Sequence, residues 1–156
     1  MQSASSTYAP TYRAAERNFA LTDSVDLAAR IALAAMFIWS GIDKLFLGTA
    51  GNVAYMQAYH VPLAGLLVYV AGLAELAGGL ALAAGYQTRA AALVLGLFTL
   101  LVTPIFHNFW AVPADQALNQ TIHFMKNLAL VGGLLHVVAH GAGRFSLDSR
   151  KGSARG

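Results

Sequence analysis

Four long apolar stretches, separated by short polar interruptions, set the layout of this chain. They cover residues 27–47, 62–85, 90–106 and 121–140. A helix needs ~20 mostly apolar residues to cross the hydrocarbon core of a bilayer, and each stretch approaches that length. The pattern therefore predicts an all-α, integral membrane four-helix bundle. The second stretch is the cleanest: it opens at Pro62, closes at Gly85 and carries one charge, Glu75. Proline at a helix start and glycine just past its end are ordinary boundary signals. The third stretch has no charge, and Pro104 falls in its last turn, where it kinks or ends the helix. The first stretch spans only if Asp43 and Lys44 are tolerated near the outer interface and Leu45, Phe46 and Leu47 continue the helix. A signal-peptide core is the competing reading, but no convincing small-residue cleavage site follows Ser40-Gly41-Ile42-Asp43.

The interruptions differ in kind. In residues 48–61, Val53, Met56 and Tyr59-His60 recur at helical spacing, which predicts a short interfacial helix between helices one and two. Residues 107–120 open with His107-Asn108-Phe109-Trp110, whose aromatic rings suit the headgroup layer. Residues 1–26 are polar and rich in Ser, Thr and Ala, and are expected to form a mobile cytoplasmic tail. Residues 144–156 are expected to be a second, basic cytoplasmic tail, leaving 27–143 as the transmembrane domain.

Composition narrows the function classes. Of the 156 residues, 57% are hydrophobic and 11% charged, and the mean hydropathy is +0.56. Soluble domains carry about 25% charged residues, so this chain lacks the charges to coat a water-facing surface. The pI of about 9.5 would fit a nucleic-acid binder, but the bases sit at the ends of the apolar stretches. Arg13, Arg17 and Arg30 precede the first; Arg89 lies between the second and third; Arg144, Arg150, Lys151 and Arg155 follow the fourth. By the positive-inside rule, both termini are cytoplasmic and the bases address a lipid bilayer rather than nucleic acid. The absence of cysteine removes disulfides, thiolate metal sites and thiol–quinone relays.

The informative residues are the ionisable ones inside the spans: Asp43, Lys44, Glu75, Lys126 and His123. Each costs a few kcal/mol in lipid, so each should face the bundle and have a partner. With a rise of 1.5 Å per residue, Lys44 and Lys126 lie roughly 21–23 Å above the cytoplasmic helix ends, and Glu75 roughly 15 Å. Snorkelling lysine stems cover the difference. His107 ends the third span at the same outer level, and His123, Lys126 and Asn127 share a face of the fourth, as Ser40, Asp43 and Lys44 do on the first. The candidate ligand pocket is thus Ser40, Asp43, Lys44, Glu75, His107, His123, Lys126 and Asn127. The bland alternative is that buried ion pairs merely fix helix register, with Asp43 and Lys44 solvated at the interface. Small residues such as Ala71, Gly78, Gly79 and Ala83, and Gly132 with Gly133, promise close helix approach. Haem would need His107 and His123 opposed across the bundle. His136 and His140 are spaced i, i+4 but lack a visible third ligand, so no metal site is assigned.

Four stretches together resemble the DoxX family of small bacterial inner-membrane proteins. They are Trp39-Ser40-Gly41-Ile42-Asp43-Lys44-Leu45; Ala74-Glu75-Leu76-Ala77-Gly78-Gly79-Leu80-Ala81-Leu82 with Gly85 and Thr88-Arg89; His107-Asn108-Phe109-Trp110; and the run from Phe124 to Leu135. The resemblance covers residues 27–140 and implies a multi-pass four-helix protein of the bacterial inner membrane. It also implies a redox-associated, quinone-linked subunit, since the family takes its name from a subunit of a thiosulfate:quinone oxidoreductase. It carries no residue-level catalytic assignment. Quinone is the only cofactor this reading brings. If the chain takes part in an enzyme, it does so beside a partner oxidoreductase, or as a homo-oligomer, rather than alone. The alternatives are a non-enzymatic small-molecule or lipid binder, a permease-like protein, or an assembly subunit of a membrane complex.

Overall fold

A computed structural model describes the backbone of residues 9–153, and the side chains of residues 21–150. The outermost parts of the expected tails, residues 1–8 and 154–156, lie outside the described residues. The fold is all helical: α1 (Ala9–Ile42) runs into a widened π-helical turn (Asp43–Leu47), followed by α2 (Thr49–Ala58), α3 (Ala64–Ala84), α4 (Thr88–Phe106), α5 (Ala114–His140) and α6 (Leu147–Ser153). Four segments are long and apolar enough to cross a membrane: Leu21–Leu47, Ala64–Ala84, Thr88–Phe106 and Ala114–His140. The short α2 lies between the first and second of them, as its spacing predicts.

Two helix starts fall earlier than the hydropathy places them. Helix α1 reaches back to Ala9 rather than starting at residue 27, because no glycine or proline interrupts the chain between Thr11 and Ile38. Helix α5 begins at Ala114, directly after Pro113, seven residues before the apolar stretch itself. In both cases, the hydropathy marks where the apolar run begins, not where the helix does. The basic C-terminal segment also contains structure. Asp148, in the first turn of α6, accepts hydrogen bonds from the backbone N–H of Gln87 (2.8 Å) and Thr88 (2.9 Å) and from the Thr88 hydroxyl (2.8 Å). Its carboxylate thus caps the N-terminus of α4, where orphan N–H groups and the helix dipole favour a negative charge.

Helix α1 packs along α3, and α4 along α5. The α1–α3 seam is built on backbone contact. A Cβ at Gly41 would stand 2.7 Å from the Leu76 nitrogen, and one at Gly79 3.0 Å from the Ile38 nitrogen, so only glycine fits at either place. Gly85 closes α3 in the left-handed conformation (φ 68°), and a Cβ there would meet Ser146 at 2.4 Å. The apolar core lies in the inner half of the bundle, where Ala34, Phe37, Leu82, Ala92, Leu95, Leu134 and Val137 converge from all four spans. A smaller outer cluster joins Met56, Ala64 and Val68 under α2. Arg30 is buried at the inner end, with its guanidinium donating to the carbonyls of Ala142 and Phe145 (2.7 Å to the latter). It therefore clamps the α5–α6 connection onto α1, besides contributing to the charge asymmetry of the chain.

Candidate functional site

Between the two apolar clusters lies a cavity of about 470 Å³. Its walls come from every span and from α2, and most are apolar: Met36, Phe37, Val70, Phe98, Leu101 and Leu130 among them. The polar groups are few and gather toward the outer half. Glu75 is buried at the middle of α3, with Lys44 Nζ 2.8 Å from its Oε2. The Ser40 hydroxyl donates to Glu75 Oε1 (3.2 Å) and accepts from Lys44 Nζ (2.6 Å). The three groups thus form a closed triangle in which each charge meets both a counter-charge and a hydroxyl. Such full pairing is the condition under which a charge persists away from water.

Lys44 stands in the π-helical turn that ends helix one. Asp43 and Lys44 open this turn and, as neighbours on a helix, point in different directions and serve different elements. Lys44 enters the cavity. Asp43 instead accepts from the Asn52 side chain (2.7 Å), which also donates to the Gly48 carbonyl (2.9 Å), and so ties α2 to the turn. The Lys44 carbonyl accepts from the Thr49 hydroxyl (2.8 Å), satisfying one group that the turn frees.

The remaining candidates divide. His107 and Asn127 line the cavity. Asn127 donates to Thr103 Oγ1 (3.0 Å), and Thr103 and Thr99 each return their own hydroxyl proton to the carbonyl one turn earlier, those of Thr99 and Leu95. The His107 Nδ1 lies 2.9 Å from Gln120 Oε1, an acceptor, so Nδ1 carries the proton and Nε2 presents its lone pair. His123 does not line the cavity. Its ring stacks on that of His107, with centroids 5.1 Å apart and planes 14° from parallel, a face-to-face arrangement with no space for a porphyrin between them. Lys126 is exposed on the lipid side of α5, with no ion pair or hydrogen bond among the described residues, and so stands apart from the Lys44–Glu75 pair. Thr99, Asn52 and Tyr55 also line the cavity, although none of them carries a charge that would mark it in the sequence. A Thr-x-x-x-Thr spacing in an otherwise apolar span was the signal for Thr99 and Thr103.

Below Glu75 the bundle closes. Residues 31–39, 76–84, 90–98 and 128–135 contain no hydroxyl, amide or charged side chain. Eight or nine residues of helix make an apolar barrier of roughly 12–13 Å, filled by the inner core. To the sides, Met36 on α1, and Val70, Leu101 and Ile105 on α3 and α4, are both exposed to lipid and part of the cavity wall. The site is therefore an apolar chamber with a charged and hydroxylated end, bordered laterally by lipid-facing side chains and sealed toward the Gly85 end of the bundle.

The profile of the DoxX family matches residues 25–108, which hold Ser40, Lys44, Glu75 and His107. The chain belongs to the DoxX family. Its relatives agree. The inner membrane protein YqjF of Escherichia coli is 39% identical over 128 residues, 82% of this chain and 92% of that protein. The inner membrane protein YphA of the same organism is 32% identical over 124 residues, 80% of this chain and 88% of that one. The ER-derived vesicles protein ERV29 of Saccharomyces cerevisiae is 34% identical over 74 residues, 47% of this chain but 24% of its own length. No solved structure matches the chain. As a DoxX protein it is thus a four-span membrane bundle, and its family-matched segment contains the ion pair and the hydroxyl that joins it.

Proposed function

We propose that this DoxX protein is a bacterial inner-membrane subunit that binds a quinone-class molecule in the outer-half cavity and works beside a partner oxidoreductase. The observation that carries this reading is the Lys44–Glu75–Ser40 triangle at one end of an otherwise apolar chamber. A quinone has the same division: a ring with hydrogen-bond-accepting oxygens, and an apolar tail. Lys44, whose third N–H is left over from the triangle, donates to a ring oxygen, Glu75 takes or returns a proton, and the tail extends past Met36 or Leu101 into lipid. The lateral border of exposed apolar residues supports entry from the bilayer. Electrons come from the partner, since this chain offers no thiol to relay them. Both termini face the cytoplasm, on the positive-inside rule, which puts the cavity in the periplasmic half of the membrane.

A second reading, a non-enzymatic binder of a small amphiphile, rests on the same chamber and differs only in the absence of redox chemistry. The apolar barrier below Glu75 favours either binding role over a permease, because a polar solute has no path to the inner face. Purified protein titrated with a short-tailed ubiquinone tests the proposal, with quenching of tryptophan fluorescence as the readout. Binding that weakens at least ten-fold in Glu75→Gln while the fold survives supports it. No binding, together with unchanged quinone-linked respiration after deletion of the gene, refutes it. Retention of a lipid but not of quinone supports the second reading.

A further inference from the structure

At the other end of the bundle, the structure contains a second cavity, of about 530 Å³, independent of the Lys44–Glu75 site. It lies at the inner ends of α4 and α5, and Arg89, His140, Gly141 and Asp148 line it. Arg89 is exposed in the first turn of α4, and makes no hydrogen bond or ion pair among the described residues. Its guanidinium lies over Gly141, where a Cβ would stand 3.3 Å from Nε. His140 Nδ1 is 3.0 Å from the His136 carbonyl, so it donates there and leaves Nε2 to face outward as acceptor or, once protonated, donor. The carboxylate in the cavity, Asp148, is already engaged by three donors at the start of α4. What remains is a basic concavity with an uncommitted planar fork of donors.

We propose that this cavity holds a phosphate group, and that its source is the phosphodiester of an anionic phospholipid. The guanidinium fork matches phosphate oxygens in pairs. The location selects the lipid over a soluble phosphate. One turn further into the membrane, α4 exposes Leu93, Val94 and Leu97, and α5 exposes Leu135, so a headgroup at Arg89 has its acyl chains alongside apolar side chains. Basic pockets of this kind at helix ends recognise lipid headgroups through charge rather than through a specific polar substituent. Neighbouring Arg150, which is exposed, adds to the local positive field, whereas Arg144 is paired with Asp23 at 3.6 Å.

The test is native mass spectrometry of the full chain in neutral detergent, titrated with phosphatidylglycerol, with phosphatidylcholine and inorganic phosphate as separate arms. The wild-type protein retains phosphatidylglycerol, phosphatidylcholine binds at least five-fold more weakly, and millimolar phosphate does not displace the lipid. Arg89→Gln weakens retention about five-fold, the loss expected for one interfacial arginine. Because Arg89 is exposed and unpaired, this variant keeps the wild-type thermal midpoint, and His140→Gln weakens retention as a second probe of the same cavity. Equal retention of phosphatidylcholine, or unchanged affinity in both variants, overturns the site. Displacement by millimolar phosphate overturns the lipid as its source.

Discussion

Separating Lys44 from Glu75 should destabilise the bundle far more than removing both. At 2.8 Å, two unit charges attract by about 6 kcal/mol at an effective dielectric constant of about 20. Most of that attraction offsets the cost of taking both groups out of water, so the intact pair contributes little net stability. The imbalance appears when one partner goes. Lys44→Met leaves a carboxylate that is only 8% exposed with Ser40 as its remaining donor, and breaking such a pair costs about 3–5 kcal/mol. The loss should lie in the lower part of that range, because Ser40 still donates to the carboxylate. Glu75→Leu leaves an ammonium 20% exposed, whose stem can move toward the outer interface, so its cost lies near or below the same lower end. The double variant Lys44→Met with Glu75→Leu replaces charge with apolar volume, and should lie within about 1.5 kcal/mol of wild type. Unfolding in mixed micelles, followed by tryptophan fluorescence for all four proteins, yields the coupling energy directly. We expect coupling above about 2 kcal/mol. Single variants that each cost less than about 1 kcal/mol, with no coupling, would refute the claim that the two charges depend on one another.

Three further outcomes follow from the structure. Asp148→Ala removes the acceptor for three hydrogen bonds at the start of α4 and should lower stability by about 1–2 kcal/mol, seen as a lower thermal midpoint with the helix content retained. In α2, burial, then the neighbouring Tyr59, push the Tyr55 phenol well above its ordinary value of 10.0. The folded protein therefore keeps a proton that the unfolded chain loses near pH 10, so stability should fall as pH rises beyond that point, and Tyr55→Phe should flatten the fall. For topology, the cysteine-free chain accepts single reporters: in intact cells, a membrane-impermeant maleimide should label Asp115→Cys and spare Arg150→Cys until the membrane is opened. The reverse pattern would invert the orientation.

Composition and hydropathy determine by themselves that this chain lives in a membrane, how many times it crosses, and which residues are out of place there. Those are properties of solvent transfer, additive along a segment, and they need no knowledge of neighbours. They also single out Glu75, Lys44 and Ser40, because a charge in lipid demands a partner. Pairing itself is not additive. Asp43 and Lys44 are adjacent and equally conspicuous in sequence, yet in the folded bundle one meets Asn52 and the other Glu75. Lys126 matches Lys44 in estimated depth but lies on the lipid face of α5. Helix periodicity says which residues share a face; only packing decides where that face points. The docking of the C-terminal helix is of the same kind, since Asp148 acquires meaning only when a turn 60 residues away in the chain comes within hydrogen-bond reach. The cavity, too, belongs to the tertiary structure alone: its walls come from all four spans and α2, and the pattern of no single helix encloses it.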